Sequence, residues 1–160
     1  MSEHPLWANL FRPRPPWRAE AARLFRSTPL GEGLSPRTVR DLTGYMHLRR
    51  YQAGEPVFSV GDPGLGMYLI LEGEVEITLE GRTLATLSAG DFFGEVALFG
   101  EETRTASALA RRECRLAGFF RPDLDEWLAR EPRQGARLLM NLGRLLAERL
   151  RRSNARLSRA

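Results

Sequence analysis

The sequence predicts an α+β domain: an antiparallel β jelly-roll barrel flanked by N-terminal helices and by a short and a long C-terminal helix. Three observations predict it. From Leu48 to about Phe120 the apolar residues alternate with a period of two and are punctuated by glycine. On either side of that stretch the period becomes helical. The 160 residues, 42% hydrophobic and 28% charged, suit one globular domain able to bury about two-thirds of its unfolded surface.

Taken in order, residues 1–16 read as an irregular arm. Leu6, Trp7 and Phe11 are its apolar anchors, and Arg12-Pro13-Arg14-Pro15-Pro16 excludes helix. Residues 17–47 form a helical segment. A first helix over about Trp17–Arg26 carries Ala21, Leu24 and Phe25 on one side. Ser35-Pro36 opens a second, serine as cap and proline in the first turn, with Val39, Leu42 and Met46 at helical spacing. Residues 48–120 form the barrel. Val57–Val60 ends at Gly61-Asp62, and Met67–Leu71 ends at Glu72-Gly73. Val75, Ile77 and Leu79 alternate with glutamates as a half-buried strand, Glu80-Gly81-Arg82 turns into Thr83–Leu87, and Ala106–Phe120 supplies the closing strands. Residues 121–160 are helical. Pro122–Leu128 opens with acids in its first turn, and Glu131-Pro132 breaks it as a hinge. A longer helix over about Arg133–Leu157 follows, striped by Leu138, Leu139, Leu142, Leu145, Leu146, Leu150 and Leu157. At about 1.5 Å per residue it outreaches a small barrel, so part of the stripe needs another cover. A homodimer through this helix, with Leu142 and Leu146 near the seam, is the expectation; a lid folded over one barrel is the alternative.

Composition narrows the function. No apolar run spans a bilayer, and the first residues lack a basic start followed by a long apolar stretch, so neither membrane insertion nor secretion is expected. The single cysteine, Cys114, can form neither an internal disulfide nor a thiolate cluster and reads as a strand packing residue, which fits the cytoplasm. All 24 basic residues are arginine, within a net charge of +4. From Arg130 onward nine arginines face two glutamates, which suits either a solvated helix face or contact with an anionic partner. Metal-dependent jelly-roll enzymes need clustered histidines and carboxylates. The two histidines, His4 and His47, stand outside the expected strands, and no catalytic residue, metal site or cofactor is expected. No nucleophile elbow or phosphate loop motif appears.

The chemistry concentrates in residues 90–107, Gly-Asp-Phe-Phe-Gly-Glu-Val-Ala-Leu-Phe-Gly-Glu-Glu-Thr-Arg-Thr-Ala-Ser. Arg104 can fork two N–H donors onto phosphate oxygens, and the amides of a short turn starting at Gly94 can add to that. Glu95, acceptor-only when ionised, suits a ribose hydroxyl and would repel a phosphate. A sugar phosphate needs this combination. A charged surface loop is the plainer alternative.

With Gly54–Phe58, Gly61-Asp62, Tyr68–Val75 and Gly90–Phe92 in place, this stretch closely resembles the phosphate-binding cassette of cyclic-nucleotide-binding domains. The resemblance implies that Arg104 takes the cyclic phosphate of cyclic AMP or cyclic GMP and Glu95 the ribose 2′-OH. Phe93, Gly94, Val96, Ala97, Thr105 and Ala106 would complete the cassette, and Arg149, Leu150 and Ser153 of the long helix would approach the base. Thr105 permits guanine without requiring it, so cyclic AMP is the expected principal ligand. It further implies a sensor acting through the family's B and C helices, with Leu98 packing on Leu124, Trp127 and Leu128 as the relay. An unidentified protein partner fits that output. The chain's end at Ala160 leaves no room for the helix-turn-helix of related transcription regulators, so specific DNA binding is not expected. A truncated regulator of that type and a ligand-free interaction module are the alternatives.

Overall fold

The computed structural model describes residues 14–100 and 103–159. The arm expected over residues 1–16 lies outside them except for its last residues, of which Pro16 already belongs to a helix. That helix, α1 (Pro16–Ser27), starts one residue before the expected Trp17, because a proline at the first helical position forfeits only an N–H that had no partner. Ala21, Ala22 and Phe25 form its buried face. A 3₁₀ turn (Pro29–Gly31) leads to α2 (Pro36–Thr43), whose Ser35 cap accepts from the Thr38 amide at 3.1 Å. Val39 and Leu42 are buried on α2 as expected.

Eight antiparallel strands follow: β1 (His47–Tyr51), β2 (Pro56–Phe58), β3 (Gly66–Glu72), β4 (Glu74–Leu79), β5 (Arg82–Ser88), β6 (Phe92–Phe93), β7 (Ser107–Ala110) and β8 (Cys114–Phe120). They form two four-stranded sheets, β1-β8-β3-β6 and β2-β7-β4-β5, in the jelly-roll arrangement expected. His47 departs from expectation: it opens β1 opposite Gly118, and its Nε2 lies 3.2 Å from Asp123 Oδ2. The helical segment therefore ends earlier than 47.

Two cores explain the strand patterns. Between the sheets lie Tyr68, Ile70, Val75, Phe93, Ala108, Ala110, Cys114 and Leu116. Between the first sheet and the helices lie Met67, Leu69, Leu71, Ala117 and Phe119 together with Phe25, Leu30, Leu42, Trp127, Leu138 and Leu142. β3 contributes alternate residues to both, so Met67–Leu71 is one uninterrupted apolar run where the exposed edge β5 is not. Cys114 is fully buried, its Sγ 3.3 Å from the Glu74 carbonyl, and burial pushes its thiol pKa up.

The C-terminal helices are α3 (Arg121–Arg130) and α4 (Pro132–Leu157), and Glu131 with a non-helical backbone separates them. Both flanks of that break are tied to the N-terminal helices. Trp127 Nε1 donates to Asp41 Oδ2 at 3.0 Å, Arg130 donates to the Tyr45 hydroxyl, and Asn141 Nδ2 donates to the carbonyls of Leu30 and Glu32 at 3.0 and 2.7 Å. The burial of α4 ends near Leu142, and Arg151–Leu157 are exposed. Leu142, expected at a dimer seam, is 1% exposed inside this chain's own core and cannot serve there. No described helix is long and apolar enough to cross a membrane.

Candidate functional site

The segment that begins the site is pinned to the first sheet before any side chain acts. Asp91 closes a turn on the Ser88 amide at 2.9 Å, and the Ile70 amide and carbonyl bond the backbone of Asp91 and Gly90. Phe92 and Phe93 then pair with Leu69 and Tyr68. Gly94 turns the chain at φ +77° into a single 3₁₀ turn, Glu95–Leu98. A left-handed residue there favours glycine, and space demands it as well. A Cβ on Gly94 would stand 2.7 Å from Arg104 Nη1 and 3.2 Å from the Gly66 carbonyl.

Arg104 is pinned through its own backbone, its amide donating to the Asp62 carbonyl and its carbonyl accepting from the Gly61 amide. Its side chain is 7% exposed. Nη2 donates to the Gly66 carbonyl at 2.7 Å, Nη1 to Gly94 at 3.2 Å, and the guanidinium lies 4.0 Å from the centre of the Phe58 ring. No described carboxylate comes within ion-pairing distance of it, and its buried Nε has no partner among the described residues. Burial lowers its pKa, while Tyr68, Asp62 and Glu95 nearby act in the opposite sense. Carbonyls and a π face orient this cation without neutralising it, which leaves a preorganised site for an anion.

Glu95 is 5% exposed and forms an ion pair with Arg149 of α4, whose guanidinium also lies 5.0 Å from the Phe92 ring centre. The carboxylate of the cassette is thus joined to the long helix. A cavity of about 510 Å³ opens between them, lined among others by Phe93, Gly94, Glu95, Val96, Ala97, Arg104, Thr105, Ala106, Arg149 and Ser153.

The structure therefore brings together every residue expected at the site except Leu150. That residue is absent from the lining and 62% exposed, about 100° round α4 from Arg149 and on the outer flank of Ser153. Arg149, expected near a base, lines the cavity and forms an ion pair with Glu95. Sequence reasoning missed the apolar wall of Phe58, Ile77, Leu84 and Leu87, and the arginines Arg152 and Arg156. A signal existed for both: Ile77 lies on the inward set of its strand, and 152 and 156 follow 149 at helical spacing. Leu98 is buried in the helix-side core with Leu124 and Trp127, and Leu128 packs against the same cluster. Among the described residues no group of three or more His, Cys, Asp or Glu could hold a metal ion.

Comparison with known proteins agrees with this fold. The cyclic nucleotide-binding domain family matches residues 48–131. The cyclic AMP receptor protein of Thermus thermophilus is 36% identical over 82% of this chain and 62% of its own length. A cyclic nucleotide-binding domain from Methylobacillus flagellatus superposes with a TM-score of 0.78 at 29% identity, covering 90% of this chain and 84% of that one. The c-di-GMP responsive global regulator CLP of Xanthomonas campestris superposes with a TM-score of 0.66 at 29% identity over 78% of this chain and 64% of that one. This chain thus spans less than two-thirds of the length of these regulators. By the family match and the fold together, the chain belongs to the cyclic nucleotide-binding domain family.

Proposed function

We propose that this chain is a cyclic-nucleotide sensor in which Arg104 pairs with the cyclic phosphate and Glu95 accepts from the ribose 2′-OH. The observation that carries the reading is the buried guanidinium of Arg104 in the cavity wall, which has no ion pair among the described residues. Amides of the Glu95–Leu98 turn and of Thr105 and Ala106 supply further donors to the phosphate. Ser153 on α4 and the exposed Thr105 face the base, and among mononucleotides cyclic AMP binds more tightly than cyclic GMP. The name of the Xanthomonas neighbour supports keeping cyclic dinucleotides within the ligand class.

Output runs through the helices. Contacts to the Glu95–Leu98 turn move Leu98 against α3, and the Glu95–Arg149 pair couples the same turn to α4. α4 also joins two copies of the chain. Leu139, Gly143, Leu146, Leu150, Ser153 and Leu157 recur at alternating spacings of four and three, the pattern of a two-helix seam. Leu139, Leu150 and Leu157 lie exposed along it.

Calorimetric titration of cyclic AMP and cyclic GMP into wild type, Arg104→Ala and Glu95→Ala tests the assignment. Removing the cation from a desolvated phosphate costs about 3–5 kcal/mol. Both variants should weaken binding by more than about tenfold while remaining folded by circular dichroism. Unchanged isotherms would refute the site, and a tighter cyclic GMP would reverse the base preference.

A further inference from the structure

We propose that the α4 side of the same cavity is a second anion subsite, formed by Arg152 and Arg156, and that the preferred ligand is a cyclic dinucleotide whose second phosphate sits there. The proposal rests on Arg104 holding the first phosphate.

Among the described residues, four arginines line this cavity, Arg104, Arg149, Arg152 and Arg156, against one carboxylate, Glu95. The ion pair with Arg149 already occupies that carboxylate. A 3′,5′-cyclic mononucleotide brings a single negative charge, which Arg104 answers, and its base is neutral. Arg152 and Arg156 would then face the cavity with nothing to neutralise them from the ligand.

Their placement is regular. Residues 149, 152, 153 and 156 lie on one face of α4 over two turns, so the basic face extends about 10 Å along the axis from the Glu95 contact. Arginines at 149 and 152, and at 152 and 156, stand three and four residues apart, where like charges destabilise a helix. An anion seated between them reverses the sign of that interaction. Among the described residues Arg152 pairs with Glu148 of the preceding turn, and both side chains are exposed, so the bond exchanges freely for a phosphate. Arg156 has no ion pair among the described residues. Guanidinium forks suit phosphate oxygens in particular.

The rest of the cavity accepts the bulk of such a ligand. Ile77, Leu84 and Leu87 form an apolar wall, with Leu84 half exposed and available for a second base to cover. A cyclic dinucleotide holds two phosphodiesters apart through two riboses, which matches one cation in the cavity wall and a pair on the rim.

The test is calorimetric titration of the full chain, at one fixed ionic strength, with cyclic AMP, cyclic di-GMP and cyclic di-AMP. The same three ligands are then titrated into Arg152→Gln/Arg156→Gln, with melting curves as the control for folding. Wild type should bind at least one dinucleotide more than about tenfold tighter than cyclic AMP. The double variant should lose that advantage and hold its cyclic AMP affinity within about twofold. Dinucleotides that bind wild type no tighter than cyclic AMP overturn the proposal. So does a double variant that weakens both classes in equal proportion, which would mean general electrostatic attraction. If wild type binds cyclic AMP but no dinucleotide, the subsite alone fails; if it binds neither class, the assignment of Arg104 fails with it.

Discussion

Gly94→Ala separates the two demands that the cassette places on one residue. The first is conformational: alanine at φ +77° costs about 1–2 kcal/mol. For a domain of this size that lowers the melting temperature by roughly 2–8 °C. The second is steric. The new Cβ would sit 2.7 Å from Arg104 Nη1, so the guanidinium must leave the Gly94 and Gly66 carbonyls that aim it. Losing one well-aimed charge-assisted contact to phosphate costs about 1.5–3 kcal/mol, or roughly 10- to 150-fold in affinity. Gly90→Ala is the matched control. Its φ is +91°, but the nearest atom to its Cβ is Leu24 Cδ2 at 3.8 Å, well away from Arg104. Melting curves and cyclic AMP titrations on both variants should show similar losses of stability, with a loss of affinity for Gly94→Ala alone. Equal affinities for the two would refute the claim that Gly94 exists to admit Arg104.

Other outcomes follow from the same geometry. Burial, with Tyr68 nearby, raises the Tyr51 pKa from 10.0 to about 12, so the folded chain holds a proton that the unfolded chain releases. That contribution to stability is complete below about pH 10 and is lost as the pH rises towards 12. With Tyr51 partly exposed, the alkaline loss should be about 1–2 kcal/mol in denaturant titrations, and Tyr51→Phe should flatten it. Asn141→Leu strands the buried carbonyl of Leu30 and frees the part-buried one of Glu32, and should cost about 1–3 kcal/mol in the same assay. Leu150→Glu places a charge on the exposed seam of α4 but touches neither core nor cavity. Sedimentation should show wild type as a dimer at tens of micromolar and this variant as the 18.1 kDa monomer, both with wild-type melting behaviour.

Much of the site was legible because its residues are contiguous. Phe93–Ala97 and Arg104–Ala106 are each carried by a short local motif, and the fold needs only to bring two loops together. A continuous apolar run ending at Glu72-Gly73 marked β3, alternation marked β4, and Ser35-Pro36 marked the start of α2. What failed depends on tertiary placement. A leucine stripe wider than one helix face does not say which leucines the barrel covers, so Leu142 and Leu150 were both misplaced. The tie of Glu95 to Arg149 joins residues 54 positions apart, and no local pattern announces it. Nor could the sequence show that Glu131-Pro132 is clamped on both sides by Asp41, Tyr45 and the Pro29–Gly31 turn. That clamping leaves the distal, exposed half of α4 as the part with room to move, and it is the half that carries Ser153, Arg152 and Arg156.

The central claim is that the buried guanidinium of Arg104 holds a cyclic phosphate. Phosphorus NMR of cyclic AMP observes that group directly. On titration with wild-type protein the phosphate resonance should shift and saturate. With folded Arg104→Ala at the same concentrations it should remain at the free position. An identical shift with Arg104→Ala would contradict the account, as would no shift with wild type under conditions where calorimetry detects binding.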